Sequence, residues 1–367
     1  MKKDYIIRPY RKGDEEEIVK LLELVFNGWP HFDLSCTPLD HWRWKFEENP
    51  LKKISIAVSE SDNRIIGCAH LTPQNIKIGS KSLLCFQAMD SAVHPDFRRM
   101  GVWNKMDEQR QELLVKADAN IHYSISGNPI LWAQAMRLGS IRFPRPIIEL
   151  VRIHDIKLHL KMRPNENALV KKYGYLLLKA LNRVRNTLTR TPSITPGLHI
   201  EDVNRFDDRI ETFWEEIKDG YSFIQERDRE RLNWRYCDSQ GGDYVIKQAE
   251  EYGSIIGYIV MRINRYRENY PMGYIIDLLT LPERLDVADA LIKEAIRYFD
   301  DLKVNIIQCC IVKDHPYEKL YQRHGLLNKR TQLFVSYLPI QVGSEINEFK
   351  TAPANRLLYQ LGDTDHI

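Results

Sequence analysis

The order of apolar and polar positions in the first 155 residues predicts a mixed α/β domain. Apolar residues at helical spacing, such as Ile18, Leu22 and Phe26, alternate with short β-like runs. The pattern predicts strands over 5–10, 53–59, 64–71, 83–93, 121–125 and 147–153, and helices over 18–26, 39–46, 102–119 and 129–138. The strand over 83–93 is the most apolar of these, so we expect it to be central in the sheet.

The second half of the chain repeats this pattern. Trp44-Lys45-Phe46 matches Trp234-Arg235-Tyr236, and Ile65-Ile66-Gly67 matches Ile255-Ile256-Gly257; both pairs are 190 residues apart (234 − 44 and 255 − 65). Self-similarity at a fixed spacing indicates a duplicated domain. The second copy is predicted to contain strands over 199–203, 274–281 and 305–312 and helices over 205–217 and 287–299.

The repeat therefore predicts two tandem α/β domains with mixed sheets, at 1–155 and 198–340, joined by a linker over 156–197 and followed by a C-terminal tail over 341–367. The linker carries apolar residues at helical spacing over 169–188, opposite lysines and arginines. Such a helix either lies on an anionic membrane surface or packs against a domain. Gly174 and the absence of Trp and Phe favour packing, so peripheral membrane contact is the less favoured interpretation.

Composition narrows the class of protein. The 367 residues are 43% hydrophobic and 28% charged, which is typical of a globular protein, and the net charge of +3 is too small to indicate a nucleic-acid partner. The six cysteines show neither a C-x-x-C pair nor a metal spacing with histidine, so we expect reduced, buried thiols and no metal site. The N-terminus lacks the apolar region of a signal peptide, and we expect a cytoplasmic protein.

Residues 90–103 carry the clearest chemical signal. A strand stops at Pro95, a short basic turn follows, and a helix begins near Val102. The amide groups at a helix start have no acceptor within the helix, and the helix dipole places partial positive charge there, so an anion is stabilised. Gly101 allows close approach of the backbone to a ligand, and Arg98 and Arg99 add charge.

This loop resembles a motif of the GNAT (GCN5-related N-acetyltransferase) superfamily. Arg98-Arg99-Met100-Gly101-Val102-Trp103 is similar to the family's R/Q-x-x-G-x-G/A loop, whose amides bind the pyrophosphate of acetyl-CoA. Trp103 is a departure, because the family usually has Gly or Ala there. The order of elements over 1–155 also resembles that of the GNAT fold.

The resemblance implies how acetyl-CoA binds. In the family the pantetheine arm lies between the fourth and fifth strands, which places it here against Ala92 and Val93, with Asn128 on the other side. Asn128 could equally be a helix N-cap. The resemblance implies an N-acetyltransferase that moves an acetyl group from acetyl-CoA to a small-molecule or peptide amine by direct attack.

The second copy lacks the loop motif. The segment that corresponds to the loop reads Leu285-Asp286-Val287-Ala288-Asp289-Ala290, without the arginines and the glycine and with two carboxylates that repel a pyrophosphate. We therefore expect acetyl-CoA in the first copy and interpret the second as degenerate.

Two residues are candidates for proton transfer. Asp90 interrupts an apolar strand, and partial burial is expected to raise the pKa of its carboxyl towards that of a useful base. Its counterpart Asp277 makes a structural role equally plausible. The family's usual acid, a tyrosine four residues before a glycine, is Tyr321 in the second copy but Ala135 in the first, so Tyr123 or a water would have to replace it.

Three interpretations stay open from the sequence. The replacement of the usual tyrosine and the bulky Trp103 favour a non-catalytic CoA-binding or interaction module, whereas the intact loop favours an enzyme. His94 lies beside the loop with a suitable pKa for a base, although in the family this position commonly faces solvent. Six aromatic residues line either an acceptor cleft or the cores: Trp42, Trp44, Tyr221, Phe223, Trp234 and Tyr236.

Overall fold

The computed structural model describes residues 4–126, 129–154, 156–161, 197–266, 270–341 and 343–364. The predicted basic helix over 169–188 and Asn128 lie outside the described residues. The chain divides into two compact units. Unit 1 consists of Met1–Pro144, Ser222–Gly242 and Leu333–Ala352, and unit 2 of Arg145–Tyr221, Asp243–Gln332 and Pro353–Ile367.

The elements predicted for the first repeat are present, but the strand predicted over 64–71 extends to Ile78, and a short additional strand covers Ile141–Arg142. In chain order they are β1 (Ile6–Pro9), α1 (Glu15–Phe26), α2 (Pro38–Phe46), β2 (Ser55–Ser61), β3 (Arg64–Ile78), β4 (Lys81–Val93), α3 (Val102–Lys116), β5 (Ile121–Ser126), α4 (Pro129–Arg137), β6 (Ile141–Arg142) and β7 (Ile147–Ile153). Thr37 and Asp40 form a capping box at the start of α2, which explains why the helix begins at Pro38.

The second repeat follows the same order. After α5 (Ile156–Lys161), which lies in the predicted linker, its elements are β8 (His199–Val203), α6 (Arg209–Lys218), β9 (Phe223–Gln225), α7 (Arg229–Tyr236), β10 (Val245–Glu251), β11 (Ser254–Asn264), β12 (Met272–Thr280), α8 (Leu285–Asp301), β13 (Ile306–Val312), α9 (Pro316–Arg323) and β14 (Leu327–Pro339). The helix α10 (Glu345–Thr351) follows in the predicted tail. The mixed α/β class predicted from the hydrophobic pattern is confirmed.

Each unit contains one mixed sheet. The strand order in unit 1 is β1-β2-β3-β4-β5-β14, in which β4 and β5 are parallel and β14 runs antiparallel to β5 from Phe334↔Ser126 to Pro339↔Ile121. The order in unit 2 is β7-β13-β12-β11-β10-β8, with β7 antiparallel to β13 from Ile147↔Val312 to Ile153↔Ile306. The last strand of each repeat is therefore exchanged. The units differ in this from the contiguous domains predicted at 1–155 and 198–340.

The core of unit 1 depends on both repeats. Tyr337 of the exchanged strand β14 packs against Phe143, Phe223 and Phe349. The ring centroids of Phe143 and Phe223 are 5.1 Å apart, and those of Tyr337 and Phe349 are 5.5 Å apart. Phe143 comes from the first repeat and the other three from the second. Since all four are buried, unit 1 gains much of its apolar burial from segments that are distant in sequence.

The C-terminal segment 341–367, predicted as a tail, contributes to both cores over its described part. Phe349 on α10 is buried in unit 1, and Leu357, Leu358 and Tyr359 are buried in unit 2. Gln360 donates from Nε2 to Asp277 Oδ1 at 2.8 Å. Within the described residues, no helix has the length and apolar character needed to cross a bilayer, and no cluster of side chains could hold a metal ion.

Candidate functional site

Strands β4 and β5 separate at one end of unit 1. In the described part of the chain their parallel pairing runs from Cys85↔Ile121 to Ala88↔Ser124, although β4 continues to Val93 and β5 to Ser126. Beyond the last pair, the facing edges of two parallel strands present backbone donors and acceptors that their neighbour does not use. An extended ligand with amide groups could pair with these edges. Ala92 is buried and Val93 half-buried at the end of β4.

A β-bulge interrupts β4 beside this opening. Met89 pairs with His70 and Ala92 with Cys68, so Asp90 and Ser91 together face the single residue between them on β3. Asp90 has a φ of 41°, a left-handed conformation that is uncommon for a residue other than glycine. A bulge of this kind bends its strand and redirects the backbone groups that follow.

Three side chains bond to Asp90 at the bulge, and a fourth, Trp42, bonds to one of these three. The Asp90 carboxylate accepts from Lys45 Nζ at 2.6 Å and from Trp29 Nε1 at 2.9 Å, and the backbone oxygen of Asp90 lies 2.7 Å from His70 Nδ1. Because that oxygen can only accept, His70 carries its proton on Nδ1, and its Nε2 accepts from Trp42 Nε1 at 3.0 Å. The side chains thus fix both the carboxylate and the backbone of Asp90.

This environment lowers the pKa of Asp90. Burial acts to raise the pKa, but the charge of Lys45 and the hydrogen bonds to the carboxylate outweigh burial. The expectation that partial burial would raise the pKa of Asp90 is therefore wrong, because the sequence did not reveal that Lys45 reaches the carboxylate. Burial lowers the pKa of His70 to about 4, so His70 is neutral near pH 7.

The loop after β4 has the backbone geometry of an anion site. Pro95–Phe97 form one 3-10 turn, Arg99 and Gly101 have φ values of 64° and 81°, and α3 begins at Val102. Left-handed residues next to right-handed ones turn successive amides towards a common point, and the helix start adds further amides. Tyr5 supports this conformation by donating from its hydroxyl to the backbone oxygen of Met100 at 3.0 Å.

The side chains of the loop complement its backbone. Arg98 and Arg99 are exposed, and Arg98 donates from Nε to the backbone oxygen of Val93 at 3.3 Å. The ring of Trp103 lies 5.5 Å from the guanidinium carbon of Arg110 two turns along α3. His94 accepts from the backbone amide of Asp96 at 3.3 Å. The loop therefore presents cationic side chains together with its amides.

In unit 2, the side chains at the position that corresponds to the loop form ion pairs with one another. Arg284, at the start of α8, pairs with Asp286 at 3.0 Å and with Glu251 at 2.8 Å. The hydrogen bond from Arg284 lowers the pKa of Asp286, which lies in the first turn of α8. Tyr321, at the position of the usual acid, is fully buried. These contacts agree with the interpretation of the second copy as degenerate.

Tyr123 lies where β4 and β5 begin to separate. It pairs with Gln87 one position before the last pair, and its hydroxyl donates to Gln74 Oε1 at 2.7 Å and lies 3.1 Å from Gln87 Oε1. Sequence reasoning identified Tyr123 but missed Gln74 and Gln87, and it also missed Lys45 and His70. The one available signal was that Lys45 belongs to the repeated Trp-basic-aromatic motif.

A segment of the second repeat completes unit 1. The rings of Trp44 and Trp234, which are equivalent positions of the two repeats, stack at 4.6 Å between centroids. His41 Nδ1 lies 2.7 Å from the backbone oxygen of Gln240. Of the six aromatic candidates, Trp42, Trp44, Tyr221, Phe223 and Tyr236 are buried, as expected of core residues, and Trp234 is half-buried.

Family models match both repeats. The model described as acetyltransferase (GNAT) domain matches residues 6–126, and the model described as acetyltransferase (GNAT) family matches residues 209–326. The chain belongs to the GNAT superfamily and carries two GNAT domains in tandem, as the loop and the repeat predicted. This membership supports acyl transfer as the general class of reaction. No curated protein matches the chain.

Solved structures share the fold at low sequence identity. One is a probable N-acyltransferase, a conserved protein of unknown function from Enterococcus faecalis V583, with a TM-score of 0.62 and 11% identity over 92% of this chain and 73% of that chain. Another is Saccharomyces cerevisiae N-myristoyltransferase with bound myristoyl-CoA, with a TM-score of 0.58 and 10% identity over 91% and 82%. These similarities concern the fold.

Proposed function

We propose that the protein is an acyl-CoA-dependent N-acetyltransferase whose site lies in unit 1. One observation carries the proposal: the same unit combines the separated ends of β4 and β5, the bulge at Asp90, and a loop with left-handed Arg99 and Gly101 at a helix start. The first two features suit a pantetheine arm, and the third suits a pyrophosphate.

In this proposal the cofactor is held by the residues that the sequence predicted. The pyrophosphate is bound by backbone amides of the loop and by its two arginine side chains, over Arg98, Arg99, Met100, Gly101, Val102 and Trp103. Ala92 and Val93 pair with the pantetheine arm, with Asn128 on the opposite side. The acceptor is a small-molecule or peptide amine. Comparing acetyl-CoA with myristoyl-CoA as donors tests whether the acyl group is acetyl or longer.

Transfer proceeds by direct attack of the neutral amine on the thioester carbonyl. The C–N bond forms, the C–S bond breaks, and the amine proton passes to water while the departing thiolate takes a proton from Tyr123. Water then restores the Tyr123 proton. Asp90 is committed to Lys45 and Trp29, so we assign it the role of holding the bulge rather than that of the base. Orientation of the two reactants supplies most of the rate enhancement.

Replacing Tyr123 by Phe is expected to lower kcat about a hundredfold, because a positioned general acid contributes about that factor or more. The affinity for acetyl-CoA should stay unchanged, since the hydroxyl contacts Gln74 on β3 and Gln87 in the middle of β4, and the proposed loop follows the end of β4. The measurement is release of the CoA thiol with the best amine of a panel of polyamines, amino sugars and peptides. Tyr337→Phe is the control, because the Tyr337 ring stacks on Tyr123 at 5.6 Å. Equal kcat values for Tyr123→Phe and Tyr337→Phe would exclude Tyr123 as the acid.

Replacing Gly101 by Asp is expected to weaken acetyl-CoA binding at least about tenfold, because a carboxylate would face the pyrophosphate. A Cβ at Gly101 would meet only the Tyr5 hydroxyl, at 3.7 Å, but the φ of 81° strains any side chain at this position, so the control must share that strain. Gly253→Asp is a matched control, since Gly253 has a φ of 82° and an open surrounding. Calorimetric titration with acetyl-CoA measures the effect, and equally tight binding by both variants would refute the loop assignment.

Two observations favour a non-catalytic role: Ala135 stands at the position of the usual acid, and the bulky Trp103 stands where the family usually has Gly or Ala. The same experiments separate the two functions. Tight binding of acetyl-CoA without transfer to any amine of the panel would identify a CoA-binding module, whereas transfer would identify an enzyme.

A further inference from the structure

Lys45, Trp29 and His70, here called the clamp, bond to Asp90 and hold the strained bulge in the GNAT copy that carries the proposed cofactor loop. A left-handed residue other than glycine persists where its surroundings enforce it, and such strain is concentrated at functional sites. In unit 2 the pairing of β11 with β12 also shifts in register, between Val260 and Met261 of β11. There, however, Asp277 does not have a positive φ, and its carboxylate accepts from Gln360 and Tyr258.

His70 is the part of the clamp that acts on the backbone. Its Nδ1 hydrogen bond of 2.7 Å fixes the direction of the Asp90 carbonyl, and the hydrogen bond from Trp42 fixes the ring. The position equivalent to His70 in the second repeat, 190 residues later, is Val260, which has no donor to offer. The backbone hydrogen bond and the left-handed residue therefore occur together in unit 1.

We propose that His70 and Lys45 are positioning residues for acyl transfer: by locking the Asp90 bulge, they aim the backbone after it at the acyl thioester. This inference rests on the proposed function. Lys45 holds the carboxylate at 2.6 Å and His70 holds the carbonyl, so contacts within the chain itself set the bulge. Both side chains contact Asp90, whereas in the proposed site the loop at Gly101 binds the other end of the cofactor.

Loss of the clamp is therefore expected to change kcat, whereas loss of the loop is expected to change the affinity for CoA. Loss of the clamp is expected to lower kcat, because a small misplacement of the thioester costs up to about a hundredfold in rate. It is expected to leave the affinity for CoA itself within about threefold, because the loop sets that affinity in the proposed site. A merely structural role for His70 would not separate these two quantities.

The test compares His70→Leu, which removes the donor, with His70→Asn, whose side-chain amide can stand where Nδ1 stands. We expect kcat to fall about tenfold to a hundredfold in His70→Leu and to recover to within about fivefold in His70→Asn. Thr72→Val is a matched control on the same strand, because buried Thr72 contacts β4 at Met89 and lies outside the clamp. CoA affinity by calorimetry and thermal unfolding are measured on each variant.

A second variant guards against failure of His70→Leu to fold. Lys45→Met combined with Asp90→Asn removes both charges of the ion pair without leaving one of them buried alone. It should show the same loss of kcat with nearly unchanged CoA affinity. If the wild-type chain transfers acetyl groups and both altered proteins match its kcat, the clamp assignment is overturned. If the wild type transfers none, the proposed function itself fails.

Discussion

A fragment comprising residues 1–155 alone is expected to show no cooperative unfolding transition. It lacks β14, which pairs with β5 over six positions from Phe334↔Ser126 to Pro339↔Ile121, and it lacks Phe223 and Phe349. Removing one buried phenylalanine side chain costs about 3–5 kcal/mol, and whole domains are stable by only about 5–15 kcal/mol. Circular dichroism during heating measures the transition.

Co-expression supplies the control for this experiment. When residues 156–367 are produced together with the fragment, we expect a soluble complex that melts cooperatively, because β14, Phe223 and Phe349 are then available again. A cooperative transition of the isolated fragment at the temperature of the full chain would contradict the exchange of strands between the repeats. Few other changes to this protein are expected to have so large an effect.

Replacing Asp90 by Asn is expected to destabilise the protein by about 3–5 kcal/mol near pH 7, because Lys45 would keep a buried charge without its partner. The folded pKa of Asp90 is lowered, whereas an unfolded aspartate has a pKa of about 3.9. The stabilisation by the ion pair is thus present above about pH 4 and is lost as the pH falls towards the folded pKa. The measurement is urea unfolding at several pH values.

The sign of the pH dependence is the critical outcome. The difference in the free energy of unfolding between wild type and Asp90→Asn should shrink as the pH falls from about 5 to 3. Asp96→Asn is the control, because its carboxylate is exposed and lies 4.0 Å from His94. A difference that grows at low pH, or is absent at pH 7, would show that Asp90 does not stabilise the fold through Lys45.

Most helices and strands of the first repeat followed from the sequence, since apolar periodicity is a local property of the chain, whereas β14 was not predicted. The duplication was equally visible, because Trp44 and Trp234 recur at a fixed spacing. The pairing of β14 with β5 and of β7 with β13 was not visible in the sequence, because contiguous and exchanged pairings bury the same apolar faces. Local patterns therefore indicate which segments form strands without indicating their partners.

The sequence likewise revealed only some of the residues of the candidate site. The loop 98–103 was recognisable because its chemistry depends on backbone amides, a glycine and two arginines that are consecutive in sequence. The clamp on Asp90 was not recognisable, because Lys45, Trp29 and His70 lie 45, 61 and 20 residues away from it. Burial alone suggested a raised pKa for Asp90, whereas the contact with Lys45 lowers that pKa.

The sequence by itself determined the fold class, the tandem GNAT arrangement and the choice of the first copy as the proposed cofactor site. Each depends on residue types at short or regular spacing, which the chain carries whatever its final packing. Only the tertiary structure decided which strands are exchanged and what Asp90 contacts. Those features depend on distances in space between segments far apart in sequence, and a charge or a hydrogen bond acts over a few ångströms.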